Sequence, residues 1–501
     1  MRILVLDIDT LRPDHLGCYG YHRNTSPNID RIAAEGVRFG NYYCSDAPCL
    51  PSRTAMMTGR FGIHTGVVNH GGVCADPRSE GVERAFRTEA SYSALPLKLV
   101  HAGFHTAYIG GFASRHSAPH FYNGFREIHD TGKCGMESAE DVTPTALDWI
   151  ERRGNEDHWY LQINYWDPHT PFRVPEEFGN PFADKPLPDW CTSERIEKDR
   201  QRPGPHSIQD ITMYTNEIDR ERYPRQPGEV RDMDEMRELI DGYDCGIRYA
   251  DEHVGKLLAA LEEQGVLEDT AIIISSDHGE NYGELGIYAE HATADQSTCH
   301  IPMIIKWPGA QKGLVDEGLH YNFDLAPTLT ELLDVEPPES WDGESYASAL
   351  MDGADCGRDH LVISQCAHTC QRSVRWGDYL WMRTWHDFYH LFPEEMLFNL
   401  KDDPREEHDL AAEQPGRCDE ARGIYESWQK QMMSSLPEGA DDPLDIVLKE
   451  GGPYHSRNAM KEHHYPKRLE ETGRGEFIAE IEKRHPREFD GLPHEFTHDR
   501  E

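Results

Sequence analysis

Short apolar runs alternate with stretches of helical spacing along the first two thirds of the chain, and this alternation sets the fold class. Residues 2–9 read as a buried strand that starts almost at once. Ser26 and Pro27 open a short helix ending near Gly36, with proline at the first helical position. A helix over about 91–102 stops at Gly103 and leads to a strand over 105–110, and a helix over about 143–153 leads to a strand over 159–166. The segment 233–264 places Met236, Leu239, Ile240, Tyr243, Ile247, Ala250, Val254, Leu257, Leu258 and Leu261 at helical spacing until Gly265 ends it. Strands over 270–276 and 302–307 and a helix over about 323–334 follow. Such a pattern predicts an α/β fold, a mostly parallel central sheet flanked by helices on both faces.

The remaining organisation divides the chain into three parts. Residues 1–360 form the main α/β domain, in which 180–232, rich in Pro, Asp, Arg and Gln, reads as a surface insertion placed to lie over a site. Residues 361–434 read as a small antiparallel α+β subdomain, with strands over 374–383 and 388–400 and a helix over about 414–433. Residues 435–501 are a polar extension, free to wrap the body or to mediate homo-oligomerisation. Its most basic stretch, Gly451 to Arg457 with Lys461, His463, His464, Lys467 and Arg468, reads as a solvated surface run rather than a cover for an acidic sugar.

Charge and cysteine usage narrow the function classes. With 50 basic against 90 acidic side chains the net charge is -40, which argues against nucleic acid and against an anionic membrane as partner. An anionic substrate would need a local basic pocket within a repelling field. There is no apolar run of transmembrane length. The first apolar run meets Asp7 after four residues, too soon for a signal peptide, so a cytoplasmic location is expected. A chain whose leader had been removed would read the same way. The 12 cysteines are scattered, and Cys366, His368 and Cys370 are too few for a tetrahedral zinc site. Most are expected to be free, buried thiols.

Three constellations carry chemistry. Asp7 and Asp9 stand two apart at the end of the first strand and so face one side. Two buried like charges need a cation or a shared proton, unless one caps a turn and the other pairs with Arg12. Asp277 and His278 follow another apolar strand, where a turn closed by Asp and Gly is the plainer alternative. Oxygen-rich ligation with one nitrogen suits Ca²⁺, or Mg²⁺ or Mn²⁺, better than zinc. In Cys49-Leu50-Pro51-Ser52-Arg53, Pro51 suits a first helical turn. A helix N-terminus lowers a thiol pKa, and Arg53, one turn on, offers a planar fork for an oxyanion.

Cys49-x-Pro51-Ser52-Arg53, followed by Thr58-Gly59-Arg60, resembles the maturation signature of the formylglycine-dependent sulfatases of the alkaline-phosphatase superfamily. Asp9 to Gly20, Asp277 to Glu280, Ile301 to Gly309, Arg372 to Arg375 and Asn399 to Pro404 extend the resemblance over about residues 1–430. It implies that a formylglycine-generating enzyme or an anaerobic maturase oxidises Cys49 to Cα-formylglycine. It implies that one hydroxyl of the hydrated aldehyde, held by the metal and Arg53, attacks sulfur. An acid then protonates the leaving alcohol, and loss of a proton from the second hydroxyl expels sulfate. The metal set would be Asp7, Asp9, Asp277 and His278. His169, in Trp166-Asp167-Pro168-His169, resembles the family histidine at the sulfate or leaving oxygen, with a loop histidine capped by Asp167 as its plainer alternative.

The chain departs from the family pattern in three places. Thr10 stands where a second carboxylate is usual, with Asp7 as a possible replacement. Arg115 and His116 are the nearest candidates for a missing basic pair. Glu290 replaces a lysine, beside His291, and can bind a sugar hydroxyl or neutralise a basic neighbour. The expected substrate is a small anionic sulfated sugar attacked from its end, such as a glycosaminoglycan mono- or disaccharide. A phosphonate monoester or phosphodiester hydrolase is the alternative. A catalytically silent binding protein on this fold is the third reading.

Overall fold

The computed structural model describes residues 1–80, 88–207, 210, 221–459 and 464–489. Its strands, in chain order, are β1 Arg2–Ile8, β2 Val37–Tyr43, β3 Asp46–Ala47, β4 His105–Ile109, β5 Glu127–His129, β6 Trp159–Tyr165, β7 Thr270–Ser275, β8 Asn281–Tyr282, β9 Tyr288–Glu290, β10 Met303–Lys306, β11 Leu314–Tyr321, β12 His360–Gln365, β13 Cys370–Trp376, β14 Tyr379–His386 and β15 Glu395–Asn399. Eight of them form one sheet in the order β11-β2-β10-β7-β1-β6-β4-β5. Only β10 runs against its neighbours, so the sheet is mostly parallel, as the alternation of elements implied.

The central strand shows why. β1 lies between β6 and β7, and both of its faces are buried. Leu4, Leu6 and Ile8 join one core layer with Trp149 and Ile150 of the helix Ala139–Arg153 and Leu239, Ile240 and Leu257 of the helix Met233–Glu263. Ile3 and Val5 point the other way, toward Leu325 and Leu329 of the helix Leu325–Leu332. A strand covered on both sides reads as a continuous apolar run. All ten apolar positions picked out along the long helix are buried.

The second sheet has the order β15-β14-β13-β12-β3 and is antiparallel except for the β12–β3 pair. One face packs through Val374, Trp381 and Leu397 against Tyr425 and Trp428 of the helix Pro415–Ser435. β3 ends just before Cys49, so this smaller sheet is tied directly to the segment that carries the cysteine.

Several expectations are corrected. The single strand over 374–383 is two strands, because the chain reverses at Gly377 and Asp378, with Gly377 at φ +46° and Trp376 paired to Tyr379. The strand over 388–400 shrinks to β15, since Phe388, Tyr389 and Leu391 take positive φ in a loop. The helix over 91–102 splits at Ala94, because Pro96 starts a helix rather than continuing one. Within 180–232, Phe182, Cys191, Ile196 and Val230 are buried and a helix runs over Ser193–Asp199, while 208–209 and 211–220 lie outside the described residues. The insertion leans on the β8–β9 hairpin, through Arg195 on the Gly283 carbonyl and Tyr288 on Asp199.

The extension packs on the body, and the basic stretch read as a solvated run is buried in part. Tyr465, Leu469 and Ile481 bury against Leu380, Met382 and Phe398 on the outer face of the smaller sheet. Gly451, Gly452, Pro453 and Ser456 are buried as well. Of the basic stretch, Lys461 and His463 lie outside the described residues. No helix among the described residues is long and apolar enough to cross a membrane.

Candidate active site

β1, β4, β6 and β7 run the same way, so their C-terminal ends gather along one edge of the sheet, where ligands bind in open α/β folds. Asp7 and Asp9 come from β1 and its end, Asp277 and His278 from the end of β7, and His169 from the loop after β6. Arg115 and His116 end the short helix after β4. Glu290 and His291 close the β8–β9 hairpin. Ser276 laces two of these ends together, accepting from Leu11 N–H and donating to the His278 carbonyl.

Cys49 is the first residue of the helix Cys49–Thr58 and is 2% exposed. The helix leaves at Gly59, whose φ is +65° and where a Cβ would meet the Trp341 ring at 2.6 Å. Glycine is required there on both counts. Ser52 donates to the Asp277 carbonyl at 2.6 Å and accepts from Asn322, which locks the helix against the β7 end.

Arg53 uses its fork on carboxylates. Its Nε and Nη2 donate to the two oxygens of Asp7 at 2.6 and 3.2 Å, and its Nη1 lies 2.9 Å from Asp9 and 2.8 Å from Asp277. The guanidinium also stacks 4.5 Å over the Phe112 ring. Three buried carboxylates thus face one cation. Burial pushes Asp7 and Asp9 above the usual carboxylate range, and Arg53 does not fully offset it.

Those carboxylates fit a divalent ion. Asp9, Asp277 and His278 each offer one ligand atom, and these atoms lie within 4.8 Å of one another. Asp9 Oδ1, His278 Nε2 and Thr10 Oγ1 are buried without a hydrogen-bond partner. His278 Nδ1 lies 2.8 Å from the Gly279 carbonyl, which leaves Nε2 as a lone pair for a metal. Thr10 sits at φ +54°, a strained conformation for a β-branched residue. It is held there by Tyr243, which donates to its carbonyl, and by its own N–H on Asp277. Asp7, expected among the ligands, has both oxygens on Arg53 and stands outside this group. Neither Asp7 nor Asp9 pairs with Arg12, which binds Asp14 and Glu284 instead.

The thiol expectation is overturned. Burial, then Asp9 and Asp277, push Cys49 well above its usual range, and the opposing pull of Arg53 and Arg115 does not prevail. A helix N-terminus cannot hold a thiolate beside unneutralised carboxylates.

Around Cys49 stands a set of histidines. Ligand atoms of Cys49, His278 and His291 lie within 4.8 Å of one another. The rings of His278 and His291 are 4.2 Å apart, and those of His169 and His291 are 5.6 Å apart. His169 is held through Nδ1 on the Thr170 carbonyl, not by Asp167, which accepts from Ala139 N–H. Burial, with His291 and Arg173, keeps His169 well below the usual imidazole range. His116 joins through His70, whose ring is 4.8 Å away and whose Nε2 meets Leu50 N–H. Arg115, half-buried, contributes its charge to Cys49.

Sequence reading missed His70 and gave no site role to His368, His455 and Glu280. His70 and His455 share a 2.8 Å contact between ring nitrogens, and His455 stacks on His368 at 4.2 Å. His455 belongs to the extension, so part of the polar tail lines the pocket. Glu280 closes the Asp277-to-Glu280 motif, His368 stands between Cys366 and Cys370, and His455 lies in the basic stretch, whereas nothing local singles out His70.

Comparison with known proteins gives the family and the fold. The sulfatase family model matches residues 2–335, and the model of the N-sulphoglucosamine sulphohydrolase C-terminal region matches residues 283–432. An N-acetylglucosamine-6-O-sulfatase of Bacteroides thetaiotaomicron is 24% identical over 90% of this chain and 89% of its own. The iduronate 2-sulfatase of Homo sapiens is 27% identical over 64% of this chain and 62% of its own. Among solved structures, one in complex with its substrate D-glucosamine-2-N,6-O-disulfate superposes with a TM-score of 0.69 at 22% identity, covering 88% of this chain and 99% of that one. The phosphonate monoester hydrolase of Silicibacter pomeroyi gives 0.67 at 19% identity, covering 87% and 96%.

Proposed function

This chain belongs to the sulfatase family and is a sulfuric ester hydrolase, and on that premise we propose that it removes an O-sulfate from the end of a small carbohydrate through a formylglycine made from Cys49. The favoured substrate is a sulfated glucosamine-type mono- or disaccharide, because a relative similar over 90% of this chain is an N-acetylglucosamine-6-O-sulfatase. The observation that carries the reading is the placing of Cys49 beside Asp9, Asp277, His278 and His291 at the C-terminal edge of the sheet.

The encoded side chain is a poor nucleophile, since burial and two carboxylates keep its thiol protonated. Oxidation by a formylglycine-generating enzyme or an anaerobic maturase removes that obstacle. The hydrated aldehyde supplies an oxygen nucleophile and a second hydroxyl through which sulfate departs. Asp9, Asp277, His278 and the Thr10 hydroxyl would hold a divalent ion, Ca²⁺ in preference to Mg²⁺ or Mn²⁺, which polarises sulfate oxygens when bound.

Arg53 keeps the carboxylates from repelling one another and from rotating away. His169 and His116 are the acid–base candidates. Burial keeps His169 neutral in the sugar-free pocket, so it takes its proton-donating form only when an anionic ester sits beside it. Arg115, His291 and Glu290 face the sugar and its sulfate.

Glu290 in place of a basic residue favours a second reading, a phosphonate monoester or phosphodiester hydrolase, whose fold this chain shares. One experiment tests both. The chain is produced with a maturase, the Cys49 peptide is weighed, and release of sulfate, phosphate and phosphonate is measured on a panel of esters. A loss of about 18 Da, the change from thiol to aldehyde, with sulfate release from glucosamine sulfates is the expected result. An unmodified thiol would sink the nucleophile. Modification with phosphonate hydrolysis alone would move the assignment to the second reading.

A further inference from the structure

We propose that Glu290, His291 and His368 form a second divalent-cation site of zinc type, next to the oxygen-rich site of Asp9 and Asp277. One ligand atom from each of the three lies within 4.8 Å of the other two, and all three residues are buried. Glu290 Oε1 stands 3.0 Å from His368 Nε2 and 3.5 Å from His291 Nε2. Ligand atoms about 2.0–2.1 Å from a tetrahedral zinc stand roughly 3.3 Å apart, so both distances from Glu290 are those between corners of a zinc tetrahedron. Two imidazoles and a carboxylate also make a zinc donor set that leaves the fourth corner open.

A second observation points to a ligand. His368 is 0% exposed, and both of its ring nitrogens lack a hydrogen-bond partner. Its approach to Glu290 is close but off the direction a hydrogen bond needs. A wholly buried imidazole with neither nitrogen satisfied is costly unless something else occupies the space it faces.

The surroundings hold the three in place. His368 lies in the turn between β12 and β13 of the smaller sheet, whereas Glu290 and His291 follow the β8–β9 hairpin. Gln365 donates to the His291 carbonyl at 2.8 Å, and Thr369 donates through N–H and hydroxyl to the Ala292 carbonyl. These bonds fix one ligand segment against the other. Behind His291, Nδ1 lies 3.3 Å from Glu280 Oε1. A carboxylate on the far nitrogen is the usual way a metal-bound imidazole is oriented.

A cation there would return positive charge to the position at which this chain carries Glu290. The two sites would sit side by side, as in two-metal esterases. His291 lies between them, since one of its ring nitrogens is within 4.8 Å of ligand atoms of His278 and Cys49.

The test uses the full chain, stripped of metal and loaded with Co²⁺. Four-coordinate Co²⁺ with nitrogen ligands absorbs strongly in the visible, whereas an oxygen-rich Ca²⁺-type site does not. The expected result is an intense band in the wild type that is lost in His368→Ala and in the isosteric Glu290→Gln, and kept in Asp9→Asn. Zinc content by elemental analysis should fall by one equivalent per chain in the first two variants. Glu280→Gln should weaken zinc binding by about 10–100-fold. No band in the wild type, or a band untouched by His368→Ala, overturns the proposal. A band without sulfate release leaves this site standing and counts against the sulfatase chemistry alone.

Discussion

Two ion clusters lie at the C-terminal edge of the sheet, and they behave in opposite ways. In one, Arg12 and Arg405 share Asp14 and Glu284 at 2.8–3.0 Å, two cations for two anions. Burial resists ionisation of both carboxyls, yet the two guanidinium groups outweigh it and hold Asp14 and Glu284 below their usual range. In the other, Arg53 alone faces Asp7, Asp9 and Asp277, and there burial prevails and pushes Asp7 and Asp9 upward. Both clusters are closely packed and built from the same residue types. The difference in charge count marks one as structural and the other as a place that needs a cation from outside.

The largest effect expected of any change is at the nucleophile. Cys49→Ala should lower turnover of a sulfated sugar by about 10⁴-fold or more, since a covalent nucleophile has no substitute, while urea unfolding barely shifts. Sulfate release and an unfolding curve on the same sample check this. A variant that still turns over would remove the site cluster from catalysis.

Breaking the balanced cluster should act on stability instead. Arg12→Met leaves Glu284 buried with Arg405 as its remaining cation and should cost about 3–5 kcal/mol in urea unfolding. The excess cluster should respond with the opposite sign. Asp9→Asn removes an uncompensated charge, so it should stabilise the metal-free protein by about 1–2 kcal/mol while weakening Ca²⁺ binding. Calorimetric titration with Ca²⁺ and unfolding in chelator would measure the two halves. A destabilised metal-free Asp9→Asn would mean that the cluster is balanced after all.

The smallest effect is in pH. A carboxyl raised in the folded state holds extra protons above the unfolded value of about 3.9, so its presence destabilises the metal-free protein increasingly as pH climbs through that window. A depressed carboxyl gives stability that is present above about 4 and lost as pH falls below it. The advantage of metal-free Asp9→Asn should therefore shrink on acidification from neutrality toward about pH 4. The penalty of Glu284→Gln should hold over that range and shrink only below it. Unfolding free energies at a series of pH values separate the two. Parallel curves would contradict the distinction.

Much of this molecule was legible from residue order alone, wherever the signal is local. β1, β6, β7 and the 31-residue helix from Met233 announce themselves because full burial makes a strand continuously apolar and one-sided burial gives a helix its period. Cys49 to Arg60, Asp9 and Asp277-His278 stand in contiguous motifs, and parallel strands bring their ends together. β2 and β11 were not seen, since Gly40 and the acidic Asp316-Glu317 interrupt their apolar pattern where a bulge falls. The division of labour around Arg53 needed three dimensions. Spacing places Asp7 and Asp9 on one side, but only packing against the helix Cys49–Thr58 gives Asp7 wholly to Arg53 and leaves Asp9 Oδ1 open. The same holds for the thiol, whose helix position favours a thiolate while burial among carboxylates decides against it. Residue order by itself determined the α/β sheet and the family, because those rest on local patterns. Tertiary structure alone decided that His368 from the smaller sheet meets His291 and that His455 from the extension stacks on His368, because charge, burial and metal geometry depend on distances in space that separation along the chain does not encode.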